Sequence, residues 1–113
     1  MIVITAEKIY NIHKKQIKRA MNITNLGGVS SLVEAKKNEF TIHFPEEYDY
    51  RFDYPRRDIV IGLLKQRYSE LLKKNLPIYN IYNEKNLKGF TTTEVDKKRG
   101  TSRMPPLNFR DIK

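Results

Sequence analysis

Clustered cations are the residues whose types and spacing could do chemistry in this chain. Lys14-Lys15 is followed closely by Lys18-Arg19, Arg56-Arg57 precedes a helical run, and Lys97-Lys98-Arg99 with Arg103 lies toward the C-terminal end. Such groups attract polyanions, whether phospholipid head groups, nucleic acid or acidic proteins. The formal net charge is +9 at pH 7, and it is unevenly spread. Residues 1–24 carry Lys8, Lys14, Lys15, Lys18 and Arg19 against the single acid Glu7, whereas residues 25–54 are net acidic. Residues 55–75 and 88–113 are again basic. Keeping a small domain soluble is the plain alternative role for any one of these lysines.

Catalytic groupings are sparse. There is no cysteine, which excludes disulfides, thiolate metal ligands and a cysteine nucleophile. His13 and His43 are far apart and neither belongs to a metal-ligand spacing. His43 falls on the Glu39/Thr41 side of an alternating run, opposite Phe40 and Phe44, and reads as a surface side chain. Glu46, Glu47 and Asp49 occupy a turn and its exit. Gly27-Gly28 lacks the lysine and helix of a phosphate loop. These observations predict a non-catalytic protein with no metal and no cofactor.

The elements that must position the cations follow from periodicity. At 113 residues and 13.4 kDa the chain holds one domain at most. Ile2–Ile4 and Lys8–Ile12 read as two strands, with His13–Gln16 a polar turn and Ile17–Ile23 a third strand. Gly27-Gly28 breaks the chain before Val29–Val33. Glu39–Phe44 and Tyr48–Asp53 alternate strictly around Pro45-Glu46-Glu47, which predicts a hairpin with one buried aromatic face. Six short strands with short loops favour an antiparallel meander, because parallel strands need a helical crossover.

The period then becomes helical over residues 55–75. Val60, Leu63, Leu64, Tyr68, Leu71 and Leu72 form one apolar stripe, with Ile59 at its edge. Pro55 suits a first helical position, Asp58 a first turn, and Asn75 a left-handed cap before Leu76 and Pro77. Ile78–Tyr82 could add a strand or dock on the helix. From Lys88 onward no period is sustained and turn residues are frequent, as in a linker or mobile tail. The expected organisation is a mainly β, α+β domain over residues 1–78 and an irregular basic tail over residues 79–113.

Residues 1 to about 76 resemble the tail homology 1 domain of class I myosins, a pleckstrin-homology-like family. The matching pieces are Ile2-Val3-Ile4-Thr5-Ala6-Glu7-Lys8-Ile9-Tyr10-Asn11-Ile12, Ile17-Lys18-Arg19 and Ile23-Thr24-Asn25-Leu26-Gly27-Gly28-Val29-Ser30. Phe40-Thr41-Ile42-His43, Tyr48-Asp49-Tyr50 and Leu63-Leu64-Lys65-Gln66-Arg67-Tyr68 complete the set. The resemblance implies a partial pleckstrin-homology-like antiparallel sheet closed by a C-terminal helix, beginning where the family's second strand would. It also implies binding of anionic phospholipids or phosphoinositides through a basic face, in proteins that link membrane to actin. The family's principal inositol-phosphate residues belong to the missing first strand and loop, and have no counterpart here.

Basic candidates for an anion site fall into three groups: Lys14, Lys15, Lys18 and Arg19 on a turn and strand start; Arg56 and Arg57 at a helix N-terminus, where pairing with Asp53 or Asp49 is the alternative; and Lys97, Lys98, Arg99 and Arg103 in the tail. The first two groups are the expected sites. The partners expected are anionic membrane lipids and proteins of the actin cytoskeleton, in a cytoplasmic protein peripheral to the membrane or cell cortex. A pleckstrin-homology-like module that docks a protein partner is the alternative. Nucleic acid is the weaker rival, because Phe40, Phe44, Tyr48, Tyr50 and Phe52 fall on core sides and not on a stacking platform.

Overall fold

The computed structural model describes residues 1–33, 37–107 and 109–110. Strands β1 (Ile2–Ile4), β2 (Lys8–His13) and β3 (Gln16–Asn22) form an antiparallel sheet in that order. A short 3-10 turn at Ile23–Asn25 leads to β4 (Gly28–Leu32), β5 (Glu39–His43) and β6 (Tyr50–Asp53). Helix α1 (Arg57–Leu72) and strand β7 (Ile78–Ile81) follow, and then two short helices, α2 (Glu84–Gly89) and α3 (Glu94–Lys98). The second sheet has the order β6-β5-β4-β7. The expected α+β, mainly β class is the class observed.

Two features depart from the expected meander. The strands number seven among the described residues, and β7 joins β4 in parallel, with Val29 opposite Ile78 and Leu32 opposite Ile81. Since β5 is antiparallel to both β4 and β6, β6 and β7 run in the same direction. Their connection is α1 itself, which supplies the crossover that parallel strands require. The helix therefore lies between the last two strands rather than after the sheet.

The main core forms where α1 meets both sheets. Val60, Leu64 and Tyr68 from α1 pack with Phe40, Ile42 and Phe44, with Val29, and with Ile9, Met21 and Ile23 from the first sheet and its exit. Tyr50 and Phe52 close against this cluster, and their rings stack at a centroid distance of 4.3 Å. The apolar stripe is rotated from its expected position. Ile61 and Leu72 pack inward, while Ile59 is 65% exposed and Leu71 lies at the surface. The helix stops at Leu72, with Lys73 in the left-handed conformation at φ 57°. Capping at Lys73 rather than Asn75 turns the chain early enough for Leu76 to bury in the core.

The segment expected to be a mobile tail instead covers the other face of the second sheet. Leu87 from α2 packs on Leu32, Tyr79 and Ile81, with Phe90 and Phe109 against them. This explains why all five residues of β4 are buried: Val29 faces α1, and Leu32 faces the chain beyond β7. Helix α3 begins at a reciprocal capping box, in which Thr93 Oγ1 accepts from the Asp96 N–H and Asp96 accepts from the Thr93 N–H. Arg103 then pairs with Asp96 at 2.7 Å.

That pairing carries a pH signature. The hydrogen bond from Arg103, then the Thr93 N–H, holds the Asp96 carboxyl down to about 2. The folded value lies below the unfolded one, so the contribution is complete above the usual 3.8. It is lost as pH falls through about 2. Exchange-corrected protection of the Thr93 and Lys97 amides should fall across that window, and Asp96→Asn should abolish the dependence. Protection independent of pH there would contradict the pairing.

Candidate anion-binding hairpin and a buried serine–histidine–aspartate network

The β2–β3 connection is a two-residue turn, because His13 pairs directly with Gln16. Lys14 and Lys15 occupy it with φ of 50° and 64°. This is the primed turn that matches the twist of a hairpin, and it is ordinarily made by Asn-Gly. Lysine in the left-handed region costs roughly 1–2 kcal/mol per residue, so the tip carries two cations at positions that disfavour them. Just beyond the turn the register shifts, with Ile12 opposite Ile17 but Asn11 opposite Arg19. Lys18 is therefore the extra residue of a bulge, a device that re-aims a side chain. Its ammonium donates to Gln16 Oε1 at 3.2 Å. Lys14, Lys15 and Lys18 are all exposed, and the hairpin gathers them at one end of the first sheet.

Arg19 does not join them. Its guanidinium lies 3.9 Å from the ring centroid of Tyr48 and within 5.4 Å of those of Phe44 and Tyr50. It donates to the main-chain oxygens of Tyr48 and Asp49. Inward alternation from Met21 directs it under the aromatic residues, where it fastens the first sheet to the β5–β6 connection. Arg57 is likewise committed: its Nη1 donates to the carbonyls of Leu32 and Glu39, and its Nε stands 3.6 Å from Asp58. Arg56 is exposed at the N-cap position of α1. These two arginines stand past Asp53, whereas Tyr50 at the other end of β6 is the residue that Asn11 of β2 meets. The six candidate cations thus divide into an exposed hairpin triplet, two structural arginines and Arg56, exposed at the start of α1.

Replacing Lys14-Lys15 by Asn-Gly should relieve the turn and raise stability by roughly 0.5–1 kcal/mol, the left-handed cost less the extra chain entropy of glycine. A shift of the urea midpoint to higher concentration checks it. An unchanged or lower midpoint would mean that the turn is not as described.

The residue read as a surface histidine is buried. His43 has no exposed area: the Tyr79 ring stands edge-on to it at a centroid distance of 6.3 Å, and Thr91 and Thr92 meet Thr41 and Asp49 beside it. Ser30 Oγ lies 2.6 Å from His43 Nε2, and His43 Nδ1 lies 2.7 Å from Asp49 Oδ2. The tautomer that satisfies both partners has Nδ1–H donated to Asp49 and Nε2 accepting from the Ser30 hydroxyl. Asp49 also accepts the backbone N–H groups of Phe44 at 3.1 Å and Thr92 at 2.9 Å, and its own N–H donates to Thr92 O. The connectivity is that of a hydrolytic triad, but the setting differs. Ser30 is fully buried in a central strand, paired with Thr41 on one side and Tyr79 on the other. A nucleophile so placed has no approach for a substrate. The network instead ties β4, β5, the β5–β6 connection and the chain at Thr92 together.

Sequence spacing could not reveal this network, because it depends on β4–β5 register and on a covering segment distant in sequence. No family model matches the chain, and no curated protein or solved structure matches it. Among the described residues no helix is long and apolar enough to cross a membrane.

Proposed function

We propose that this chain is a non-catalytic module that attaches reversibly to anionic membrane surfaces through the β2–β3 hairpin. The observation that carries the reading is the hairpin tip, where Lys14 and Lys15 hold left-handed backbone positions and Lys18 is re-aimed by a bulge. Three cations at one exposed end, with Glu7 the only acid in the first 24 residues, make a local positive surface. Near an anionic leaflet each contributes about 1 kcal/mol, so the triplet contributes about 3 kcal/mol. That is weaker than a millimolar interaction, and it is screened by salt. A position peripheral to the membrane at the cell cortex, and a link to the actin cytoskeleton, belong to the same proposal. They rest on the resemblance of residues 1–76 to tail homology 1 domains.

Sedimentation with vesicles tests it. The chain should pellet with phosphatidylserine or phosphoinositide vesicles, remain in solution with phosphatidylcholine alone, and be released as salt rises. The triple substitution Lys14→Glu, Lys15→Glu, Lys18→Glu should abolish pelleting without moving the unfolding midpoint downward. Equal binding to neutral vesicles would refute the lipid reading. Preference for a single-stranded oligonucleotide would favour nucleic acid, and a protein partner indifferent to salt and to the triple substitution would favour docking.

A further inference from the structure

The first sheet has an apolar face that belongs to neither core cluster of the described residues. Ile4, Ile9 and Met21 share one register row and face the main core, with Ile2 packed beside them. Alternation turns the row Val3, Tyr10 and Ala20 to the opposite face. The next row begins at Met1, whose carbonyl accepts the Ile12 N–H, and continues through Ile12 to Ile17. Met1, Val3, Tyr10, Ile12 and Ile17 are absent from both hydrophobic clusters of the described residues. Met1 is 71% exposed and Ile17 60%. Six side chains, all apolar apart from one tyrosine hydroxyl, thus share the outer face, with Met1, Ile17 and Ala20 exposed and Val3, Tyr10 and Ile12 half-buried between them. Lysines rim it, Lys14, Lys15 and Lys18 at the hairpin end and Lys8 opposite Asn22 at the other.

The geometry points to this face as the surface that enters the interfacial region of an anionic bilayer, with Ile12 and Ile17 among the acyl chains and the lysines on lipid phosphates. The inference deepens the lipid reading and rests on it. Charge complementarity selects the occupant. A second copy of the chain laid face to face would bring its own lysine rim against this one, whereas an anionic leaflet offers apolar depth and negative charge together. Tyr10 has an amphipathic ring suited to that boundary. Insertion also supplies the affinity that solvated lysines alone lack.

The chain contains no tryptophan, so Ile17→Trp introduces a single reporter. With phosphatidylserine-containing vesicles its emission should shift to the blue and be quenched by bromine on the lipid chains. Ile17→Asn should weaken partitioning about tenfold and remove the fraction that stays bound at high salt. Pelleting with neither shift nor quenching would overturn insertion while leaving electrostatic attachment intact. An absence of pelleting in the unaltered chain would overturn the lipid reading itself. A blue shift that follows protein concentration without vesicles, together with dimers in sedimentation, would reassign the face to self-association and overturn the proposal.

Discussion

Asp49→Ala should lower the free energy of unfolding by about 3–5 kcal/mol, a large part of the roughly 5–15 kcal/mol of an ordinary domain. The substitution removes one carboxylate that serves His43 Nδ1, the Phe44 N–H and the Thr92 N–H together. Each buried donor left without an acceptor costs about 1–3 kcal/mol. The loss should also be directional, with exchange accelerating first at Thr92, where the chain beyond β7 is anchored. Ser30→Ala should cost less, about 1–2 kcal/mol, because only His43 Nε2 loses a partner. Urea unfolding of both variants, with amide exchange, checks the order. A change within about 0.5 kcal/mol for Asp49→Ala, as expected of a surface acid, would mean that the network is not closed.

Leu64→Ala should cost about 2–5 kcal/mol. Leu64 is fully buried at the middle of α1, where it joins Phe40 and Ile42 of the second sheet to Ile9 and Met21 of the first. Both sheets therefore lose contacts to one cavity, and little can collapse to fill it. Ile59→Ala on the same helix removes as large a side chain from an exposed site and should change stability by less than about 0.5 kcal/mol. Comparable losses for the two variants would place the buried stripe of α1 wrongly.

Alternation made most of the second sheet legible. Phe40, Ile42 and Phe44 line the core as their period-2 spacing requires, and Tyr50 and Phe52 close against it. The polar phase of the same strand misled, because Thr41 and His43 are covered by a segment some fifty residues away whose helices span one turn or little more. Thr91 Oγ1 meets Thr41 Oγ1 at 2.8 Å; no periodicity in either stretch encodes that meeting. The Thr93-x-x-Asp96 capping box was, by contrast, a readable local signal. In the first sheet the clue was the presence of apolar residues in both phases of β1 and β2, Ile2 with Val3 and Ile9 with Tyr10. A strand written that way asks for a second covering surface. Among the cations, sequence proximity grouped Arg19 with Lys18. The bulge and the aromatic residues around Arg19 separate them.

The proposed membrane attachment through the hairpin is tested most directly by mapping amide shifts of the full chain as bicelles containing phosphatidylserine are added. Changes should concentrate at Val3, Tyr10, Ile12 through Lys18 and Ala20, reversed by salt at the lysines and less so at Ile12 and Ile17. Residues 57–72 of α1 should remain unmoved. Shifts confined to Arg56 and the basic stretch Lys97–Arg103, with the hairpin silent, would contradict it.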